Sequence, residues 1–160
     1  MTPRSCGVIL EESRGDMPGS ETEITARWKG GLGFEAVNAQ GIAVRMDPPS
    51  ENPYLTPMEL VLMALAGCTG MDVADILRKK KQTPESMEIR IRGVRSEDHP
   101  RVYTAIEVEY LLAGPDLTPD AVARSIELST NKYCSVGGML SRTAAIRTSF
   151  RIAGREEGSG

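Results

Sequence analysis

The sequence predicts an α+β domain in which short strands surround one long apolar helix. Alternating apolar and polar residues recur in several short segments, as expected for half-buried strands. One segment, residues 60–66, is apolar at every position and follows a helix-start signal. The predicted order is three strands, a helix, two strands, one or two helices and a final strand, with no internal repeat.

The N-terminal part is predicted to form a meander of antiparallel strands. Alternation predicts these strands at residues 24–28, 34–37 and 42–46. Gly30 and Gly31 provide the first turn, and residues 38–41 provide the second. The Asp-Pro-Pro run at residues 47–49 ends the meander, because proline cannot donate to a strand ladder.

The next segment carries a clear helix-start signal. Thr56 is suited to the N-cap, Pro57 to the first helical position, and Glu59 to a capping box with the N-cap residue. Because residues 60–66 are apolar on every face, we expect this helix to be buried all round at the centre of the fold. Its predicted end is the basic run at residues 78–81, which suits the negative end of the helix dipole.

The C-terminal half is predicted to contain the remaining strands and helices. Period-two alternation indicates strands at residues 87–92, 102–112 and 144–152. Thr118-Pro119-Asp120 opens a helix that continues to about Asn131. Gly137 and Gly138 leave open whether a further helix follows.

Length and composition favour one cytoplasmic domain. A chain of 160 residues buries a core without metal or disulfide staples. The polar, glycine-containing ends lack periodicity, so we expect a loosely ordered segment at residues 1–20, a single domain at residues 21–153 and a flexible tail at residues 154–160. The net charge of -3 provides no broad positive field, so no nucleic-acid partner is expected.

The sequence also predicts neither export nor a membrane partner. The apolar run after Arg4 is too short for a signal-peptide core. The longest apolar stretch, residues 60–68, is shorter than the ~20 residues that span a bilayer. We therefore interpret that stretch as part of a buried core.

Cysteine chemistry is the main functional signal. Cys6, Cys68 and Cys134 are too widely spaced to indicate a metal site, and any disulfide in a reducing cytosol would be transient. Small neighbours leave room around the Cys68 sulfur, although a packed core thiol is an equally open interpretation. Cys68 lies too far along the helix for help from the dipole, so a reactive thiolate would need a nearby cation such as an arginine.

Two segments resemble the cysteine-bearing motifs of the OsmC/Ohr superfamily. Residues 56–68 (TPMELVLMALAGC) resemble the helix of the first cysteine, and residues 132–136 (KYCSV) resemble the segment of the second. The resemblance extends over residues 24–152. It implies an OsmC-like fold, with antiparallel sheets around long buried central helices in an intertwined homodimer whose active sites lie at the dimer interface.

The resemblance further implies a thiol-dependent peroxidase. Cys68 would attack the O–O bond of an organic hydroperoxide and become a sulfenic acid, and Cys134 would then close a disulfide. An external dithiol, of lipoyl type in the best-known family members, would reduce that disulfide, so no cofactor or metal is required. Arg45 occupies a place comparable to the family arginine that stabilises the thiolate. A surface arginine at a strand edge is the alternative for Arg45, and Arg27 is the fallback.

The chain departs from the family pattern at one position that bears on turnover. Met58 stands where the family has a glutamate, directly after the helix-opening proline. Glu59 comes one residue later, which rotates its side chain by about 100°, so a capping role is the better interpretation. A low-turnover, ligand-binding or redox-sensing dimer is therefore the alternative function. Cys6 is interpreted as an incidental thiol and His99 as an exposed turn residue.

Overall fold

The computed structural model describes residues 21–49 and 54–153. Within these ranges the chain forms two three-stranded sheets, one long helix and a shorter helical region, which confirms the α+β class. The predictions for residues 1–20 and 154–160, including the one for Cys6, lie outside the described residues.

The first sheet is the predicted meander. Strands β1 (Ile24–Trp28), β2 (Phe34–Asn38) and β3 (Ala43–Met46) pair antiparallel in sequence order. Gly30 and Gly31 have φ values of 100° and 54°, a backbone region that glycine enters without steric cost. All residues of β1 are exposed in the single chain, so this sheet does not bury a core of its own.

Helix α1 (Pro57–Lys79) begins as predicted. Thr56 is the N-cap, and its hydroxyl accepts a hydrogen bond of 3.2 Å from the Glu59 N–H. The Glu59 carboxylate in turn accepts a bond of 2.7 Å from the Thr56 N–H, which completes the capping box.

The other end of α1 closes with a turn that the basic run did not predict. Lys81 has a φ of 59° directly after the C-cap residue Lys80. The Lys81 N–H donates to the Arg78 carbonyl at 2.9 Å, and the Gln82 N–H donates to the Leu77 carbonyl at 3.0 Å. This pattern is a Schellman motif, in which the left-handed position normally holds glycine.

The expectation that α1 is buried all round is wrong for the single chain. One face is buried, and its members are Leu65, Thr69, Gly70, Val73 and Leu77. On another face, Met63 is 51% exposed and Met71 is 72% exposed. An all-apolar helix must be covered on every side, but its composition does not say what covers it.

Helix α1 is longer than the apolar stretch used to judge membrane spanning from the sequence. Its 23 residues could cross a bilayer by length and composition alone, a test that the core helix of a soluble protein also passes. The apolar stretch at residues 60–68 therefore covers less than half of the helix that contains it. Here one face of α1 packs against the second sheet and the helix after it.

The second sheet contains β4 (Ser86–Arg95), β5 (Tyr103–Ala113) and β6 (Ala145–Ile152), in that order. Strands β4 and β5 are antiparallel, but β6 runs parallel to β5. The expectation of purely antiparallel sheets is therefore wrong. A tight hairpin would make neighbours antiparallel, whereas a long helical connection allows the chain to return and run parallel.

That connection consists of three helical pieces between β5 and β6. Helix α2 (Pro119–Leu128) is capped by Thr118 as predicted, and a π-helical turn (Ser129–Tyr133) and helix α3 (Ser135–Leu140) follow. The open question of one or two helices is thus resolved as two, joined by a π-helical turn. The core lies between this connection, α1 and one face of the second sheet. Its most deeply buried apolar side chains include Ile106, Tyr110, Leu112, Val73, Leu77 and Val122.

A candidate two-cysteine site

Two thiols from distant parts of the chain lie close together where α1 meets the start of α3. Cys68 is half-buried in the middle of α1, and Cys134 is buried between the π-helical turn and α3. Their Sγ atoms lie within 4.8 Å of each other, and both thiols are free. A disulfide bond is about 2 Å long, so closing one requires an approach of at most about 3 Å.

The local backbone explains the position of the Cys134 sulfur. The Cys134 N–H donates to the Ser129 carbonyl at 2.9 Å and closes the π-helical turn. Its Sγ atom accepts a hydrogen bond of 3.2 Å from the Gly137 N–H. A Cβ atom at Gly137 would lie 3.3 Å from this sulfur, so glycine is favoured there by the close approach. Single π-turns of this kind are frequent at functional sites.

A buried chain of polar groups lies beside the two thiols. The Thr69 hydroxyl is 2.5 Å from the Tyr110 hydroxyl and 2.9 Å from the Ser129 hydroxyl. The Ser129 hydroxyl donates to the Asp72 carboxylate at 2.9 Å. An Asp72 oxygen in turn lies within 4.8 Å of both sulfurs. One proton order satisfies every member, with Tyr110 donating to Thr69, Thr69 to Ser129, and Ser129 to Asp72.

The sequence alone does not predict this polar chain as part of a site. The available signal was helical spacing, because Asp72 follows Cys68 by four residues and therefore lies on the same face of α1. Ser129 and Tyr110 carried no comparable signal, since only the tertiary fold brings them to α1.

The setting of Cys134 disfavours its ionisation. Burial raises the pKa of the Cys134 thiol to about 11, and the neighbouring Cys68 thiol and the Asp72 charge act in the same direction. The Gly137 N–H opposes them by stabilising the thiolate. Burial also raises the pKa of the Tyr110 phenol. Cys134 is therefore a protonated thiol at neutral pH.

Arg45 has partners in the segment that follows its own strand, β3. Its Nε–H donates to the Asp47 carboxylate at 3.2 Å, and its guanidinium lies 5.0 Å from the centre of the Tyr54 ring. Gly33 leaves space for this pair, because a Cβ atom there would lie within 2.8 Å of both side chains. Among the described residues, neither Cys68 nor Cys134 accepts a hydrogen bond from an arginine. The role of Arg45 at the thiols stays a prediction.

Glu59 has the capping role that was the better interpretation of its position. Its hydrogen bonds from the Thr56 N–H and hydroxyl, both 2.7 Å long, lower the pKa of its carboxyl group. Met58 packs against the core instead, and its carbonyl accepts a hydrogen bond of 2.9 Å from the Tyr103 hydroxyl. Neither residue supplies a carboxylate to the thiols.

The fold and the facing thiols together define a protein of the OsmC/Ohr class. The family model described as OsmC-like protein matches residues 49–149, and the chain belongs to this family. Membership indicates a redox or peroxide-related function. The superfamily resemblance and the OsmC-like fold are thereby confirmed.

Individual relatives agree with this assignment. Protein YhfA of Escherichia coli (strain K12) is 39% identical over 130 residues, which span 81% of this chain and 97% of YhfA. The crystal structure of a hypothetical protein from Aquifex aeolicus VF5 has a TM-score of 0.76 and 30% identity, with 86% of this chain and 100% of that one covered. The organic hydroperoxide resistance protein OhrB of Bacillus subtilis has a TM-score of 0.60 and 14% identity, covering 82% and 98%, and this likeness concerns the fold alone.

Proposed function

We propose that the protein is a thiol-dependent peroxidase that reduces organic hydroperoxides. The observation that carries this proposal is the pair of free thiols within 4.8 Å of each other, one half-buried and one buried. Cys68 is the more accessible and is assigned the attack on peroxide, and Cys134 is assigned the resolving step. The printed description of OhrB as an organic hydroperoxide resistance protein supports the substrate class.

The reaction balances with these two thiols and an external dithiol. The Cys68 thiolate attacks one peroxide oxygen, the O–O bond breaks, and the departing alkoxide takes a proton to become an alcohol. The Cys134 thiol then attacks the sulfur of the Cys68 sulfenic acid, forming the disulfide and releasing water. A dithiol of lipoyl type reduces the disulfide by thiol exchange and is itself oxidised to a disulfide.

We propose that this activity belongs to a homodimer in the cytoplasm, where a reducing environment returns both thiols to their free state. Apolar residues left exposed by the single chain support the dimer, because a face of this kind needs a cover. The large exposed apolar side chains include Trp28, Leu32, Phe34, Ile42, Met63 and Met71. They lie in and around the first sheet and on the open side of α1. We also propose that a second copy of the chain, when it covers these faces, places its own Arg45 near Cys68.

Treatment of the reduced protein with tert-butyl hydroperoxide tests the proposal. The expected product contains a Cys68–Cys134 disulfide with Cys6 still free, as mapped by mass spectrometry. Under turnover with dihydrolipoamide, Cys68→Ser is expected to abolish hydroperoxide consumption, whereas the control Cys6→Ser retains the parent rate. Consumption by Cys68→Ser at the parent rate would refute the enzymatic assignment.

A second candidate function is a redox-sensing or ligand-binding dimer with little turnover. Two observations favour it, namely the Asp47 partner that holds Arg45 within its own sheet and the absence of a glutamate at Met58. In that case the disulfide would form but would not be recycled efficiently by dithiols. Saturable binding of a fatty acid with negligible peroxidase rate would support it, and fast turnover with dihydrolipoamide would exclude it.

A further inference from the structure

Three atoms of metal-ligand type converge at the two-cysteine site. The Sγ atoms of Cys68 and Cys134 and a carboxylate oxygen of Asp72 all lie within 4.8 Å of one another. The hydrogen-bond partner of this carboxylate is the Ser129 hydroxyl, and in residues 21–49 and 54–153 no lysine or arginine forms an ion pair with Asp72. The peroxidase reaction does not explain a carboxylate here, because a negative charge beside a thiol disfavours the thiolate form that attacks peroxide.

We propose that Cys68, Asp72 and Cys134 form a binding site for a thiophilic divalent cation, with Zn²⁺ as the best match. A bound divalent cation would offset two of the three negative charges that the two thiolates and the carboxylate carry.

The donor set selects the class of metal. Two thiolates and one carboxylate suit Zn²⁺, whereas Mg²⁺ and Ca²⁺ prefer oxygen ligands alone. Zn–S distances of about 2.3 Å in tetrahedral geometry place two sulfurs about 3.8 Å apart. The sulfurs of Cys68 and Cys134 therefore need to approach by at most about 1 Å. Three protein ligands leave the fourth position open to water or another small ligand.

The surroundings already orient two of the three ligands. The Ser129 hydroxyl donates a hydrogen bond of 2.9 Å to the Asp72 carboxylate. The Thr69 hydroxyl bonds to Ser129 and is itself bonded to the Tyr110 hydroxyl. Hydrogen bonds of this outer kind fix a ligating carboxylate in position and tune the metal. The Gly137 N–H donates to the Cys134 sulfur. Cys68 is half-buried, which gives an ion a path from solvent.

Metal binding and peroxide chemistry would compete for the same thiols. A hydroperoxide that oxidises Cys68 and Cys134 to a disulfide takes two electrons from the sulfurs and yields alcohol and water, while Zn²⁺ leaves unchanged in oxidation state. This consequence rests on the proposed peroxidase function, but the metal site itself does not. The reduced protein is thus expected to hold the cation and the disulfide form to release it.

Titration of the reduced full-length Cys6→Ser protein with Zn²⁺, and with Co²⁺ as a spectroscopic probe, tests the site. One ion per chain and a thiolate-to-cobalt charge-transfer band are expected. Affinity should rise with pH, because a cysteine thiol must lose its proton to bind a metal ion. Cys68→Ser and Cys134→Ser are each expected to lower the affinity by at least about 100-fold, and Asp72→Asn by at least about 10-fold.

Asp75→Asn is the matched control. It removes the same charge from the same helix, but the Asp75 side chain is 42% exposed and is paired with Arg78 and Lys79. Its affinity for Zn²⁺ should stay within about twofold of the parent, since exposed charges are screened. Ser129→Ala keeps all three ligands and should weaken binding by about 10-fold or more, so it tests the site even if Asp72→Asn fails to fold.

Several results would overturn the metal site. Equal binding by Asp72→Asn and the parent, or binding that survives replacement of both Cys68 and Cys134, would identify surface binding only. A reduced parent that binds no Zn²⁺ yet forms the disulfide with tert-butyl hydroperoxide would refute the metal site and leave the peroxidase intact. Zn²⁺ binding without hydroperoxide consumption would refute the peroxidase and leave the metal site intact.

Discussion

The alkylation rate of Cys134 is expected to rise with pH up to about pH 11, because burial raises the pKa of this thiol. The pKa of this thiol is raised to about 11, mainly by burial. Only the thiolate is alkylated, so about one Cys134 side chain in 10,000 is reactive at pH 7. Its alkylation rate should increase about tenfold with each pH unit between pH 7 and pH 10 and level off near pH 11.

Brief pulses of iodoacetamide on the reduced native protein, followed by digestion and mass spectrometry, measure this rate at each pH. Free cysteine treated in parallel corrects for the chemistry of the reagent and should level off near its ordinary pKa of about 8.5. An alkylation rate of Cys134 that levels off below about pH 9 would refute the conclusion that burial, Cys68 and Asp72 suppress the ionisation of this thiol.

The same shift predicts the direction in which stability depends on pH. The folded chain holds the Cys134 proton more tightly than the unfolded chain, whose thiol titrates near 8.5. The stabilisation is therefore fully present below about pH 8.5 and is lost as the pH rises toward 11. Between pH 8 and pH 10.5 the contribution of Cys134 to the free energy of unfolding should fall by at most about 3 kcal/mol. Urea unfolding of the parent and of Cys134→Ala measures it, and a constant difference between the two proteins would contradict the linkage.

Three further changes follow from the local structure, and urea unfolding measures each of them. Lys81→Gly should raise the free energy of unfolding by about 0.5–1 kcal/mol, because Lys81 occupies a left-handed position; Lys80→Gly, at a φ of -83°, should not stabilise and serves as the control. Thr69→Val should cost about 1–3 kcal/mol, because it leaves the buried Tyr110 hydroxyl without its partner; a neutral result would mean that the hydroxyl finds another one. Thr56→Ala should cost about 1 kcal/mol through loss of the N-cap, and an unchanged stability would show that the capping box contributes nothing measurable.

Much of the fold could be predicted because its signals are local. Period-two alternation identified the strands of both sheets, and the caps at Thr56 and Thr118 identified the starts of α1 and α2. Such patterns depend on residues within one or two turns of each other. The direction of β6 has no local signal, because parallel pairing depends on the path of the connection from β5.

The candidate site was predictable only in part. The resemblance identified Cys68 and Cys134 as a pair, and the structure brings their sulfurs together. The carboxylate of Asp72 was visible as a neighbour on the helix, but its role required knowledge that Ser129 and Tyr110 reach the same face. Their positions arise from packing between segments far apart in the sequence.

Residue types at short spacing were enough to predict most of the secondary structure and the helix caps, and a family resemblance was enough to predict the pair of thiols. Only the tertiary structure shows which faces of α1 are buried and that the two sulfurs lie within 4.8 Å of a carboxylate oxygen. It also decided that Cys134 stays protonated. The physical reason is that distances between sulfurs, burial and the electrostatic effect of Asp72 depend on how distant segments pack together, and the Cys134 pKa of about 11 follows from that packing.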